Sequence, residues 1–260
     1  MLSFINSILA LFDVRLVRKS THEIIVSKFL GFRYPDFSEL IESKYHTSYF
    51  ENLRDSKSQL GQDLFVLSEL GFKKNGFFVE FGATNGIDLS NTYLMEKKFE
   101  WNGILAEPAK LWQSELKLNR SSSIELDCVW ETTGNKLLFN EVNDGFRKGG
   151  LSTIDSFSNY DNHRKARKSA NKYEVNTISL SDMLKKHNAP KNIDYLSIDT
   201  EGSEFVILNN FDFNEYDIKI ITCEHNNTPM REKIFDLLSA NGYVRKYTEF
   251  SLFDDWYVRQ

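Results

Sequence analysis

Apolar positions along the chain follow three periods, and each predicts an element. Short, nearly unbroken apolar runs mark strands buried on both faces, as in a parallel sheet. Phe77–Phe81 is the first such run, Trp101–Ala106 the second, Ile124–Val129 the third, Ile193–Ile198 the fourth and Ile218–Cys223 the fifth. Between them, apolar residues recur at helical spacing. Examples are Leu60, Leu64, Leu67 and Leu70 in a helix from Ser58 to Gly71, and Met230, Ile234, Leu237 and Leu238 in a helix opened by Thr228-Pro229. Further helices are predicted from Ile87 to Glu96, around Leu111, Trp112 and Leu116, after the Ser179–Asp182 cap, and from Ser203 to Asn210. The third period is alternation. Tyr243–Phe250 and Leu252–Arg259 read as a hairpin turned near Glu249–Ser251. Lys136–Glu141 and Leu151–Ile154 read as short strands around a polar loop. Strands alternating with helices predict an α/β domain built on a doubly wound sheet.

The first fifty-seven residues fall outside this rhythm and are read as a helical extension, with the α/β domain spanning residues 58–260. Leu2, Phe4, Ile5, Ile8, Leu9, Leu11, Phe12, Leu16 and Val17 form an apolar, helical run followed by Arg18 and Lys19. It is too short and interrupted to span a bilayer, and it lacks the charged start and small-residue cleavage site of a secretory signal. It is read either as a helix packed on the domain or in a homo-oligomer interface, or as an interfacial helix resting on the inner membrane face.

The polar residues that interrupt the pattern cluster at strand carboxyl ends. Glu80-Phe81-Gly82-Ala83-Thr84-Asn85-Gly86 closes the first strand with an acid and a Gly-x-x-x-Gly turn. Glycines there let the backbone approach a nucleotide-like ligand. Glu107-Pro108 closes the second strand at the spacing of an acid that binds ribose hydroxyls. Asp127 closes the third, placed to meet an adenine amino group. Asp199-Thr200-Glu201-Gly202 and Glu224-His225 follow the next two strands, and a doubly wound sheet brings both turns over the same cleft. Gln59, Gln62 and Asp63 are expected on a solvated helix face or a lid near the cofactor, and His187 at a helix end, bound to its carbonyls.

These motifs, with Ser58–Val66, Ser90-Asn91-Thr92-Tyr93, Trp101–Pro108 and Ile193–Glu204, resemble the FkbM family of S-adenosylmethionine-dependent methyltransferases over roughly residues 58–260. The resemblance implies a Rossmann-like class I methyltransferase fold, a mostly parallel seven-stranded sheet with a carboxyl-terminal antiparallel hairpin. Motif and resemblance together place S-adenosylmethionine against Glu80, Gly82, Ala83, Asn85, Gly86, Ser90, Glu107, Pro108, Asp127 and Asp199. The activity implied is methyl transfer to oxygen, on a sugar hydroxyl of a cell-surface glycan, its precursor or a secondary metabolite. An alcohol needs a base or a metal ion to react. His225 is the best base by residue type, with Asp199 and Glu224 beside it, and the same three residues could instead hold Mg2+ or Mn2+.

Composition narrows the field. A net charge of -5 gives no electrostatic footprint for nucleic acid, although the segment from His163 to Lys168 is locally basic and is read as a solvated face or as a flap for an anionic substrate. Two cysteines make neither a disulfide framework nor a metal spacing, which places the chain in a reducing cytoplasm. A dinucleotide-dependent oxidoreductase would prefer Gly-x-Gly-x-x-Gly. A non-catalytic nucleotide- or cofactor-binding module would have lost the acids of the cleft. Deleting Met1 to Lys19 should leave a folded, cofactor-competent domain and, for an interfacial helix, abolish sedimentation with anionic vesicles. Insoluble protein after the deletion would identify a packed helix instead.

Overall fold

The computed structural model describes residues 37–143, 150–158 and 164–260. The apolar run from Leu2 to Val17 and His163 lie outside the described residues. Among these residues no helix is long and apolar enough to cross a membrane.

Seven strands form the main sheet: β1 (Phe77–Phe81), β2 (Asn102–Ala106), β3 (Ser123–Glu125), β8 (Asn192–Ile198), β9 (Asp217–Glu224), β10 (Tyr243–Lys246) and β11 (Asp254–Arg259). Their order is β10-β11-β9-β8-β1-β2-β3. β11 runs antiparallel to both its neighbours and the other pairs are parallel. This is the mostly parallel seven-stranded sheet expected. β1 lies where the chain order reverses, with β8 on one side and β2 on the other, which is where doubly wound sheets bind ligands. A second sheet, β4-β7-β5-β6, consists of β4 (Cys128–Trp130), β5 (Lys136–Glu141), β6 (Thr153–Ile154) and β7 (Asn171–Ser179).

The pleat sorts β1 between two cores. Val79 and Phe81 join the layer of α5 (Leu180–Lys186), α6 (Glu204–Asn209) and α7 (Met230–Ala240), against Met183, Leu208 and Ile234. Phe78 joins the opposite layer with Leu64 and Phe65 of α2 (Gln62–Glu69), Leu94 and Met95 of α3 (Tyr93–Phe99), and Trp256. The last part of the extension belongs to this second core. Residues 37–57 contain α1 (His46–Asn52), whose Tyr49 is buried with Phe37 among the same side chains. Phe37 meets Phe250, Tyr247 and Trp256 edge-on with ring centroids 5.3–5.8 Å apart, and Phe65 stacks on Trp256 at 4.6 Å.

Several expected elements are shorter, three of them because side chains capture backbone donors and hold the chain in a turn. The third strand divides. Glu125 accepts from the N–H groups of Leu126 (2.9 Å) and Asp127 (3.0 Å), so the chain bends and β4 joins the other sheet. The helix expected from Ile87 begins at Tyr93, because Asn85 takes the N–H groups of Ile87 and Asp88 and Glu80 takes that of Asn91. The helix expected from Ser58 begins at Gln62. Asp63 accepts from the Ser56 and Ser58 hydroxyls and from the Lys57 and Leu64 N–H groups. Gln62 and Asp63 are accordingly buried and not solvated. The terminal hairpin is broken by α8 (Thr248–Ser251) between Tyr247 and Leu252, both at positive φ. His187 does close α5, but its ring contacts Glu125 Oε2 at 3.1 Å in place of the helix carbonyls.

Phe37→Ala should cost about 3–5 kcal/mol, the range for emptying a buried aromatic site, read as a lowered midpoint in chemical denaturation. A change near zero would mean that the region before residue 58 is detachable.

Candidate functional site

A cleft of about 1340 Å³ lies along the carboxyl ends of β1, β2, β8 and β9. One wall is the turn after β1. Gly82 has φ 73°, and a Cβ there would collide with the Asp199 carbonyl oxygen, so only glycine allows the ends of β1 and β8 to meet this closely. The Gly82 and Ala83 N–H groups donate to Ala106 O at 3.1 and 3.3 Å. Thr84, also at positive φ, donates its N–H to Glu107 Oε2 at 2.8 Å, and Ala109 N–H donates to Oε1 at 2.8 Å. Glu107 therefore lines the cleft and pins both loops that frame it. Burial, helped by the charges of Asp199 and Glu141, pushes its carboxyl up to about 7 against those two hydrogen bonds.

Glu80 is elsewhere. It is not among the cleft residues. Its side chain sits on the Phe78 face of β1 and accepts from the Ser90 hydroxyl (3.0 Å), the Asn91 N–H (2.6 Å) and the Thr92 hydroxyl (2.5 Å). Arg120 lies 3.7 Å away and donates to Gly86 O, Ser90 Oγ, Thr92 Oγ1 and Glu96 Oε2. Glu80 and Ser90 thus shape the loop behind the cleft and do not line it. Gly86 fits because a Cβ there would meet Arg120 and Leu116, and Ala83 is buried in the core. Gly82, Asn85, Glu107 and Pro108 do line the cleft. Asp127 does not. The turn held by Glu125 presents Cys128 and Val129 in its place, and burial pushes the Cys128 thiol up to about 12, which leaves it unreactive.

The floor is acidic. Among the described residues Asp199, Glu201 and Glu224 place one carboxylate oxygen each within 4.8 Å of one another. Burial raises the Asp199 and Glu224 carboxyls, and the two share a hydrogen bond. Glu224 is raised well above the usual range, since Asp199, Glu201 and Glu204 add their charges. His225 is not part of this group. Successive residues leave a strand on opposite faces, so with Glu224 turned to the cleft, His225 turns to the other side. There its Nδ1 accepts from Asn227 N–H at 3.0 Å and its Nε2 lies 3.7 Å from Asp255. Burial lowers its pKa, and Arg231 and Arg245 lower it further against the pull of Asp255. The ring is neither base nor ligand at the cleft. Glu201 takes the place expected of it.

Glu201 is held by the basic segment. Arg167, 2% exposed, donates to Glu201 Oε2 at 2.9 Å and to Leu151 O at 2.8 Å. This cation of the expected flap is committed to the protein's own floor. Arg164, Lys165 and Lys168 are exposed. The remaining wall, residues 53–59, was not expected at the cleft as a whole. It is brought there by the buried Asp63, and Arg54, Lys57 and Gln59 line the entrance.

The Methyltransferase FkbM domain model matches residues 80–245. The chain belongs to this family. The family's chemistry implies the use of S-adenosylmethionine, and the cleft fits it: a side-chain-free turn at Gly82 allows close approach, and Glu107 offers carboxylate oxygens. Two solved structures are similar. An FkbM methyltransferase from Methylobacillus flagellatus KT shares 13% identity, with 86% of this chain and 57% of that one covered and a TM-score of 0.46. A precorrin-6y C5,15-methyltransferase from Geobacter metallireducens GS-15 shares 10% identity, with 75% and 85% covered and a TM-score of 0.40. Comparison with curated proteins gave no match.

Cofactor affinity should fall as pH drops through about 7, because only the ionised Glu107 accepts ribose hydroxyls with both oxygens and binding then releases a proton. Calorimetry in two buffers of different ionisation enthalpy measures that proton. Affinity constant from pH 6 to 8, with no proton released, would remove Glu107 from direct contact.

Proposed function

We propose that this FkbM-family protein is an S-adenosylmethionine-dependent O-methyltransferase whose acceptor is a sugar hydroxyl of a cell-surface glycan, a glycan precursor or a secondary metabolite. The observation that carries the reading is the acidic floor of Asp199, Glu201 and Glu224 next to the Gly82–Glu107 wall. The cofactor supplies a methyl group already activated on a positive sulfur. The protein's task is to align a nucleophile with it and to ease removal of the nucleophile's proton.

Each part of the cleft suits one of these tasks. Glu107 accepts hydroxyls at the cofactor end. The Asp199–Glu224 pair carries negative charge and shares a proton at the floor, so it can take the proton of an acceptor hydroxyl. The cleft is larger than one nucleoside needs, which leaves room for a saccharide between residues 53–59 and 150–154. Such substrates are made in the cytoplasm or at its membrane face, where the extension ahead of residue 37 would provide a peripheral contact or a contact with a second copy. No nucleic-acid substrate is proposed.

The test is S-adenosylhomocysteine formation with nucleotide sugars and with free or lipid-linked oligosaccharides. Asp199→Asn and Glu224→Gln should each lower turnover about 10²-fold or more while cofactor affinity changes only a few-fold, and His225→Ala should keep most of its turnover. Full activity in both acid variants would place the chemistry elsewhere in the cleft.

A further inference from the structure

Large apolar side chains left in water at a cleft mark a surface made to be covered. Leu89 lines the cleft and is 61% exposed. Its φ is 61°, a conformation that a leucine holds only against steric strain, and a bridge to Ser58 ties it to the wall of residues 53–59. Leu252, also at positive φ, is exposed and precedes Phe253, which borders the cleft with Leu89. Phe50, exposed as well, lies one helical turn before Leu53, another cleft residue. Apolar side chains thus rim one mouth, and two of them sit on strained backbone. Strain of this kind collects at ligand clamps.

The mouth belongs to the acceptor end of the cleft. Leu89, Phe253 and Gln59 border a small cavity together with Asp199 and Glu224, and Glu107, Cys128 and Val129 are not among its residues. The same wall carries Arg54 and Lys57, the two basic side chains among the described residues that line the cleft, both exposed. From the floor outward the lining therefore passes from acids to cations and an apolar lip. We propose that the acceptor is a saccharide carried on a lipid phosphate. Its sugar hydroxyl reaches Asp199 and Glu224, its phosphate is met by Lys57 and Arg54, and the start of its hydrocarbon chain lies along Leu89, Phe253 and Leu252. Charge complementarity sets this direction, since the acidic floor repels a phosphate and the basic wall attracts it. A nucleotide sugar would turn a polar base and ribose toward the leucines, and a free oligosaccharide would leave the cations and the lip unused. The extension joins the described residues at Phe37, whose ring meets that of Phe250, two residues before Leu252. Its apolar run, Leu2 to Val17, is therefore tethered on the side where the lip lies.

The inference rests on the methyltransferase reading of the cleft and names the acceptor class. Its test does not need turnover. Full-length protein is first saturated with S-adenosylhomocysteine. It is then titrated by calorimetry with farnesyl phosphate below its micelle-forming concentration, and in parallel with farnesol, inorganic phosphate and uridine diphosphate. One saturable farnesyl phosphate site is expected, at least about 10-fold tighter than the other three. Leu89→Asn and Leu252→Asn, which suit positive φ, should each weaken it about 10-fold. Lys57→Gln should weaken farnesyl phosphate about 10-fold and leave farnesol unchanged. Leu118→Asn, at an exposed leucine that does not line the cleft, should change nothing. Circular dichroism confirms that each variant is folded. Farnesol binding as tightly as farnesyl phosphate overturns the phosphate contact. Uridine diphosphate binding as tightly, with both cleft leucine variants indifferent, overturns the lipid in favour of a nucleotide sugar. Equal weakening by Leu118→Asn and Leu89→Asn overturns the lip as a specific site. S-Adenosylhomocysteine binding without farnesyl phosphate binding removes the lipid phosphate alone, whereas no S-adenosylhomocysteine binding removes the methyltransferase reading beneath it.

Discussion

The cleft depends on one buried carboxylate. Glu80 sits mid-sheet, where an unpaired charge would be costly, and its oxygens are taken by the Ser90 and Thr92 hydroxyls and the Asn91 N–H, with Arg120 beside them. Those contacts wind residues 82–92 into a fixed loop in place of the helix that local preference suggests. Arg120 closes the arrangement by binding Gly86 O and Glu96 as well. Removing one partner of such a buried pair typically costs 3–5 kcal/mol, because the other is left uncompensated. The loop then presents Thr84 to Glu107 and Gly82 to the Asp199 carbonyl. This wall of the cleft is thus set by a residue that does not line it.

The opposite end of the cleft obeys the contrary rule. There, among the described residues, the acids outnumber the cations. Asp199 follows β8, Glu224 closes β9 and Asp254 opens β11, so three adjacent strands each deliver a carboxyl at the same edge of the sheet. Among the described contacts Arg167 alone among the basic side chains reaches this floor, through Glu201. Nearby Asp255, one residue along β11, is served by both Arg231 and Arg245. Among the described residues, an acid met by two arginines on one face contrasts with a carboxylate cluster on the other that Arg167 meets. Groups tuned this far from their ordinary titration cluster where charge is used.

Much of this was legible in the sequence, because it depends on neighbours in the chain. Buried runs and helical spacing place five parallel strands and their helices, and the acids at the strand ends, Glu107, Asp199 and Glu224, follow from adjacency to those runs. The Gly82 turn is equally local. Two of the errors share one form. At Ile87–Thr92 and Leu126–Asp127, a carboxylate or amide captured backbone donors and stopped an element that the apolar pattern would have continued.

What the sequence by itself determined is the order of strands, helices and terminal acids, since period and chain adjacency are properties of the sequence alone. Which acids meet was decided only by tertiary structure. The pleat and the pairing with β11 turn Glu224 into the cleft and His225 out of it. Long-range pairing sets Asp254 beside Gln62, 192 residues away, and the second sheet sends Arg167 to Glu201. No local pattern encodes these meetings. They exist because two sheets and a buried loop close the chain on itself, and the free energy that fixes each side chain comes from partners far along the sequence.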